Sequence, residues 1–263
     1  MPFTLAHPAA VVPFKQSRLA NWLAKKTKDE YFVFSALLVG SIGPDLGYLW
    51  PGFASQVFTH TLAGVILFGL PTGLCLLWLY HRFLKLPLLG LLPAEHRRVI
   101  EPHCGHFSFW PHRRLAAIIF SLFIGALSHI VWDSFTHGQG WMVQAIPFLH
   151  TVRFRFVGLM VKPYTILKFG SSIFGLAWLV YCYWRWFQSQ PGVIVWPAQW
   201  RLGLLVGLFV FVVSSSLGLV WLLRYGVSYL ALSTFIRWGL VAGFMVVVGA
   251  GLVRKMGIGY SRR

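Results

Sequence analysis

The chain has 263 residues, of which 57% are hydrophobic, 17% aromatic and only 11% charged. Soluble domains carry about 25% charged residues, so water cannot cover this much apolar surface, and the bilayer must be part of the solvent. The formal charge of +17 comes from 23 Lys and Arg set against six acids. The basic residues flank apolar runs, as expected for the loops of a membrane protein, and nucleic acid is not an expected partner.

The opening MPFTLAHPAAVVPF lacks a basic start and is broken by Pro8 and Pro13, so it does not read as a cleavable signal peptide. Residues 8–28 are amphipathic, with Val11, Val12, Phe14, Leu19, Trp22 and Leu23 among basic residues. Two placements fit them. One is a helix lying in the membrane interface. The other is a short, half-buried helix paired with the first span, which would bring His7 to the level of Asp45. Six apolar runs are candidates to cross a bilayer. They cover about 31–50, 61–80, 115–135, 165–187, 201–223 and 230–253. The expected fold is therefore an all-α membrane bundle of about six spans, forming one domain over 1–263. Residues 1–160 carry the motifs and 161–263 read as apolar scaffold. Lys28 and the link holding Arg82, Lys85, Arg97, Arg98, Arg113 and Arg114 read as cytoplasmic, and the 51–60 link, without Lys or Arg, as external. The expected location is a cytoplasmic (inner) membrane.

Ionisable groups inside a bilayer are costly unless paired or solvated. Of the six acids, only Asp45 and Asp133 lie within apolar runs. Asp45 sits in GSIGPDLGYLW, where Pro44 and the glycines open the helix and free backbone groups. Asp133 sits in SHIVWDSFTH, four residues after His129, and residues four apart share a helix face. His137 joins that stripe if the helix continues. His60, in FTHTLAG, follows a short link and so must lie near the end of the first span. Alternating helix directions then gather Asp45, His60, His129, Asp133 and His137 at one membrane face. Neutral imidazole and carboxylate are the donors that a divalent ion with nitrogen and oxygen ligands requires.

Other groups read more plainly. Glu101, His103, Cys104, His106 and His112 have a loose spacing on the opposite predicted side and read as a basic cytoplasmic loop. Arg153 and Arg155 alternate with aromatics in TVRFRF, a pattern for interfacial anchoring or for meeting a phosphate head group. Cys75, Cys104 and Cys182 are too widely spaced for a disulfide framework or a paired zinc motif.

The motifs MPFTLAHPAAVVP, GSIGPDLGYL, FTHTLAG and LSHIVWDSFTH, in this order, resemble a family of bacterial multi-pass membrane proteins of unknown function. Their order is also similar to that of the membrane-bound metal-dependent hydrolases, distant relatives of zinc-dependent phospholipase C. That resemblance covers roughly the first 160 residues. It implies that His7, Asp45, His60, His129 and Asp133 hold a divalent metal, zinc first among the expectations. His7 enters through the resemblance alone. Two departures stand out: Leu46, Gly47 and Tyr48 follow Asp45 where a second acid is common, and Phe58 precedes Thr59 where a His-Arg pair is common upstream. The expected function is hydrolysis of a lipid or phosphoester at the bilayer edge, with His137 or a free carboxylate as general base. The alternative is a non-enzymatic membrane protein, a transporter or structural module, with a buried His/Asp cluster.

Overall fold

The computed structural model describes residues 4–15, 32–49, 55–156 and 159–192. The two predicted spans at 201–223 and 230–253, and most of the basic part of the amphipathic segment, lie outside the described residues. The chain divides into two compact units. One holds the described residues up to Leu77 together with Ser108–Cys182; the other holds Trp78–Phe107 and the described residues from Tyr183 onward.

The chain is an all-α multi-pass membrane protein with three long apolar helices and several shorter ones. Helix α1 covers Thr4–Phe14 and α2 covers Phe34–Gly47. A single turn at Gln56–Thr59 leads into α3, Leu62–Gly90. Then come α4 (Ala94–Ile100), α5 (His112–Thr136), α6 (Trp141–Ala145) and α7 (Pro147–Thr151). Two short strands, β1 (Phe154–Phe156) and β2 (Leu159–Val161), pair antiparallel before α8, Pro163–Gln188. The alternation of Arg and Phe in RFRF has the period of an extended strand, and Phe154–Phe156 forms β1. Helices α3, α5 and α8 are long and apolar enough to cross a membrane, and large apolar side chains such as Leu67, Phe120 and Phe174 stand exposed on them.

Helix α3 runs ten residues beyond the predicted end of its span. Two prolines inside it, Pro71 and Pro87, cannot donate to the carbonyls four residues earlier. Those carbonyls belong to Leu67 and Phe83, and each lies in a π-helical turn, Val65–Gly69 and Tyr80–Leu84. The wider turns absorb the missing bonds and the helix continues. The first predicted span differs in the other direction. It is α-helical only from Phe34 to Ile42, then tightens to a 3₁₀ turn over Gly43–Leu49, beginning beside Pro44.

The first unit is organised by a close parallel crossing of α2 and α5. Val33 N donates to Ser121 Oγ (2.9 Å) and His129 Nδ1 bonds Ser41 O (2.7 Å), and in both pairs the partners are 88 residues apart. The same offset pairs Leu37 with Gly125 and Asp45 with Asp133. Only glycine permits the approach: a Cβ on Gly125 would strike the Leu37 carbonyl oxygen and come within 2.7 Å of Ser41 N, and one on Gly40 would strike the Leu122 carbonyl. Small residues at such crossings let backbones meet without water or lipid between them. Along α5 the buried stripe Ile118, Leu122, Gly125 and Ala126 ends in His129 and Asp133. The crossing thus delivers polar groups to its own C-terminal end.

Helix α1 packs on α2 and α5. Its Ala6 also lies against α8, where a Cβ on Gly175 would come within 3.0 Å of the Ala6 carbonyl. Ala6, His7, Ala9 and Val11 are buried, so the start of the amphipathic segment takes the half-buried, paired placement. In the second unit, Lys85 Nζ donates to Gly105 O (2.7 Å), Arg98 reaches Gly192 O (2.9 Å), and the His96 ring stacks on Tyr183 and Phe187.

Candidate metal centre

Four elements converge where α2 and α5 end. Asp45 comes from the 3₁₀ turn that ends α2, His60 from the turn before α3, His129 and Asp133 from the last turns of α5, and His7 from α1. One donor atom from each of Asp45, His60, His129 and Asp133 lies within 4.8 Å of the others. His60 Nε2 is 3.6 Å from Asp45 Oδ1 and 3.4 Å from Asp133 Oδ2. His129 Nε2 is 3.6 and 3.3 Å from the same two oxygens. His7 Nε2 approaches Asp133 Oδ1 to 3.4 Å, and the His7 ring stacks on His129 with centroids 3.8 Å apart.

Local chemistry fixes the orientation of these groups. Pro44 has no N–H to offer the Ser41 carbonyl in a 3₁₀ pattern, and that carbonyl takes His129 Nδ1 instead. A carbonyl can only accept, so Nδ1 carries the proton and the Nε2 lone pair faces the carboxylates. His60 is held through its other nitrogen, Nδ1, 3.2 Å from Thr59 Oγ1. Thr4 Oγ1 donates to Asp45 Oδ2 (2.6 Å), leaving Oδ1 to the histidines. Asp133 divides its oxygens: Oδ1 meets His7 and Thr136 Oγ1, and Oδ2 meets His60, His129 and His137.

The cluster is buried. The side chains of His7 and His129 are at most 1% exposed, and those of Asp45 and Asp133 4% and 9%. Among the described residues, both acids find their ion-pair partners only in histidines. Both ring nitrogens of His7 and Nε2 of His129 lack a hydrogen-bond partner. Leaving such atoms unmatched in a buried site costs about 1–3 kcal/mol each. A lone pair on His129 Nε2 facing two carboxylate oxygens is acceptor against acceptor, a clash that a proton or a metal cation between them relieves.

The donor set fits a divalent metal. Two imidazole nitrogens and two carboxylate oxygens give a four-coordinate N₂O₂ set. Ligand bonds of 2.0–2.1 Å in a tetrahedron imply edges of about 3.3–3.4 Å. The four cross-distances between nitrogen and oxygen run from 3.3 to 3.6 Å, while the set as a whole spans 4.8 Å and would have to draw in around an ion.

The other residues singled out in the sequence lie elsewhere. His137 is not one of the four, because α5 ends at Thr136 and His137 is its C-cap with extended backbone. Its Nδ1 nevertheless stays 3.4 Å from Asp133 Oδ2, and its side chain is 29% exposed. Glu101, His103, His106 and His112 are exposed and do not form a converging ligand group among the described residues. Arg153 and Arg155 are exposed beside and within β1, with Arg155 opposite Met160. Sequence reasoning missed Thr4, Ser41 and Thr59, which orient the ligands. For Thr4 a signal existed: it stands three residues before His7, on the same helix face. A backbone carbonyl such as that of Ser41 leaves no mark in side-chain chemistry.

The family of proteins described as a domain of unknown function, DUF4184, matches residues 1–253. The chain belongs to the DUF4184 family. No curated protein and no solved structure matches it. Family membership therefore brings no activity with it, and the chemistry must be argued from the cluster.

Proposed function

We propose that this DUF4184 protein is a membrane-embedded, metal-dependent hydrolase. The observation that carries the reading is the convergence of His60 Nε2, His129 Nε2, Asp45 Oδ1 and Asp133 Oδ2 on one buried point. The mixed nitrogen and oxygen donors favour zinc over magnesium, which takes octahedral, oxygen-rich and hydrated sites. The order of the four motifs, similar to that of membrane-bound metal-dependent hydrolases, points the same way. A conducting path would string ionisable groups across the bilayer; here they meet at one end of α2 and α5, which favours a reaction centre.

Held by Asp45, His60, His129 and Asp133, a divalent ion would lower the pKa of water and polarise a substrate oxygen. The chain's residues supply the rest. Asp45 and Asp133 offset the cationic charge, and Thr4 and the Ser41 carbonyl hold the ligands in place. His137, half-exposed and steadied by Asp133, is the general base at the solvent side. His7, stacked on His129, closes the inner wall, with its Nε2 3.4 Å from Asp133 Oδ1.

Metal analysis of purified protein beside the Asp133→Ala variant tests the centre. One equivalent is expected in the parent and a loss in the variant; equal, substoichiometric metal in both would sink the reading. In turnover of phospholipid or a soluble phosphodiester, His137→Ala is expected to keep its metal and lose about 10²–10⁴ in rate.

A further inference from the structure

Beside the cluster lies a cavity of about 430 Å³, lined by Ala10 of α1, by Val131, Trp132, Phe135 and Thr136 of α5, and by Leu167 of α8, among others. This is within the roughly 300–1,000 Å³ range of small-molecule sites. Its polar atoms are already engaged. Ser128 Oγ donates to Gly125 O, and Trp132 Nε1 donates to Ser171 Oγ, which donates to Lys168 O. The walls therefore offer an occupant little but apolar surface. Val131 and Leu167 are also 49% and 42% exposed on helices long enough to span a membrane, so the mouth opens on an apolar face of membrane-spanning length.

The cavity shares a wall with the metal centre. Trp132 meets the His7 ring edge-on, with centroids 5.5 Å apart, and Thr136 Oγ1 is 3.5 Å from both Asp133 Oδ1 and His137 Nδ1. A molecule that lies along Trp132 and ends at Thr136 has an apolar body in the cavity and a head at the cluster. We propose that this cavity holds a hydrocarbon chain of a bilayer lipid whose head group reaches the His/Asp centre. The substrate is then an amphiphile taken from the membrane rather than a water-soluble ester. This rests on the hydrolase reading for its chemistry, but the chain site stands on its own geometry.

Photo-crosslinking tests it. The full chain in nanodiscs is irradiated with a phosphatidylethanolamine carrying a diazirine in one acyl chain, and labelled residues are mapped by mass spectrometry. Label at Val131, Phe135 and Leu167 is expected to exceed severalfold that at Phe174 and Val180, exposed positions further along α8. Excess hexadecylphosphocholine should reduce it to the level of those positions, and glycerophosphocholine should not. Leu167→Trp, which narrows the cavity, should do the same at unchanged metal content. Should that variant fold poorly, the competition on the parent protein decides. Label spread evenly over α5 and α8, or insensitive to the hexadecyl competitor, overturns the proposal, whether the cavity is empty or covered by another segment of the chain. Enriched label in a protein that binds no metal would leave the chain site standing and remove the hydrolase; stoichiometric metal without enriched label would do the reverse.

Discussion

Two regions of this chain are rich in histidine, and they behave differently. In the segment 101–112, Glu101, His103, Cys104, His106 and His112 crowd into twelve positions, yet the imidazoles stand exposed and no ligand set forms among the described residues. In the centre at the end of α2 and α5, His7, His60, His129 and His137 are scattered over 131 positions, yet all four approach Asp133 within 3.4 Å. Density along the sequence is therefore a poor guide to a site. What matters is whether the fold removes the groups from water and aims them at one another. Water solvates an exposed imidazole and leaves no demand for a partner; a buried pair of carboxylates with unpartnered ring nitrogens does demand one.

The largest expected effect breaks this comparison directly. The Asp133→Ala variant should lose nearly all bound metal, because four histidines and Asp45 then face each other without their shared carboxylate. A paired His103→Ala and His106→Ala variant should retain the full equivalent by elemental analysis. If the exposed pair also lowers the metal content, the segment 101–112 is part of the site and the contrast collapses.

The next effect concerns how the centre is delivered. Gly125→Val places methyl groups where the backbones of Leu37 and Ser41 already stand. Overpacking of this kind costs about 1–3 kcal/mol, and it pushes the Ser41 carbonyl away from His129. The melting temperature in detergent should fall and metal should be lost with it. Gly170→Ala, on α8 with open space around its Cβ position, should instead gain about 0.5–1 kcal/mol of helix stability. Equal melting points in both variants would contradict the close crossing.

The sequence made much of this legible because membrane constraints are severe. Apolar length marked α3, α5 and α8, and the rarity of acids in apolar runs singled out Asp45 and Asp133. Alternating helix direction then put His60 and His129 at the same level. What escaped depends on backbone detail. The π turns that carry α3 past Pro71 and Pro87 have no composition signal, so apolar length alone ends the span near residue 80. The in-register pairing of α2 with α5 follows from Gly40 and Gly125, which as isolated glycines in apolar runs carry no address for each other. His7 could be placed only through resemblance, since an amphipathic N-terminal segment is equally compatible with lying at the interface.

The smallest expected effect asks whether α1 belongs to the centre or merely covers it. Thr4 Oγ1 donates a short, charge-assisted bond to Asp45 Oδ2, and this turns Oδ1 toward His60 and His129. Thr4→Val keeps the shape and removes the donor. Loss of an outer hydrogen bond to a ligand lowers metal affinity by about 10–100-fold, which chelator competition would resolve, and Thr4→Ser should restore most of it. The melting temperature without metal should fall only by what an unmatched Asp45 Oδ2 costs, about 1–3 kcal/mol, because the remaining packing of α1, through Ala6 and Val11, is untouched. Unchanged affinity in Thr4→Val would mean that Asp45 is aimed by the 3₁₀ turn at Pro44 alone. The N-terminal helix would then be a lid over the cluster, and the comparison would narrow to what α2, α3 and α5 bring together by themselves.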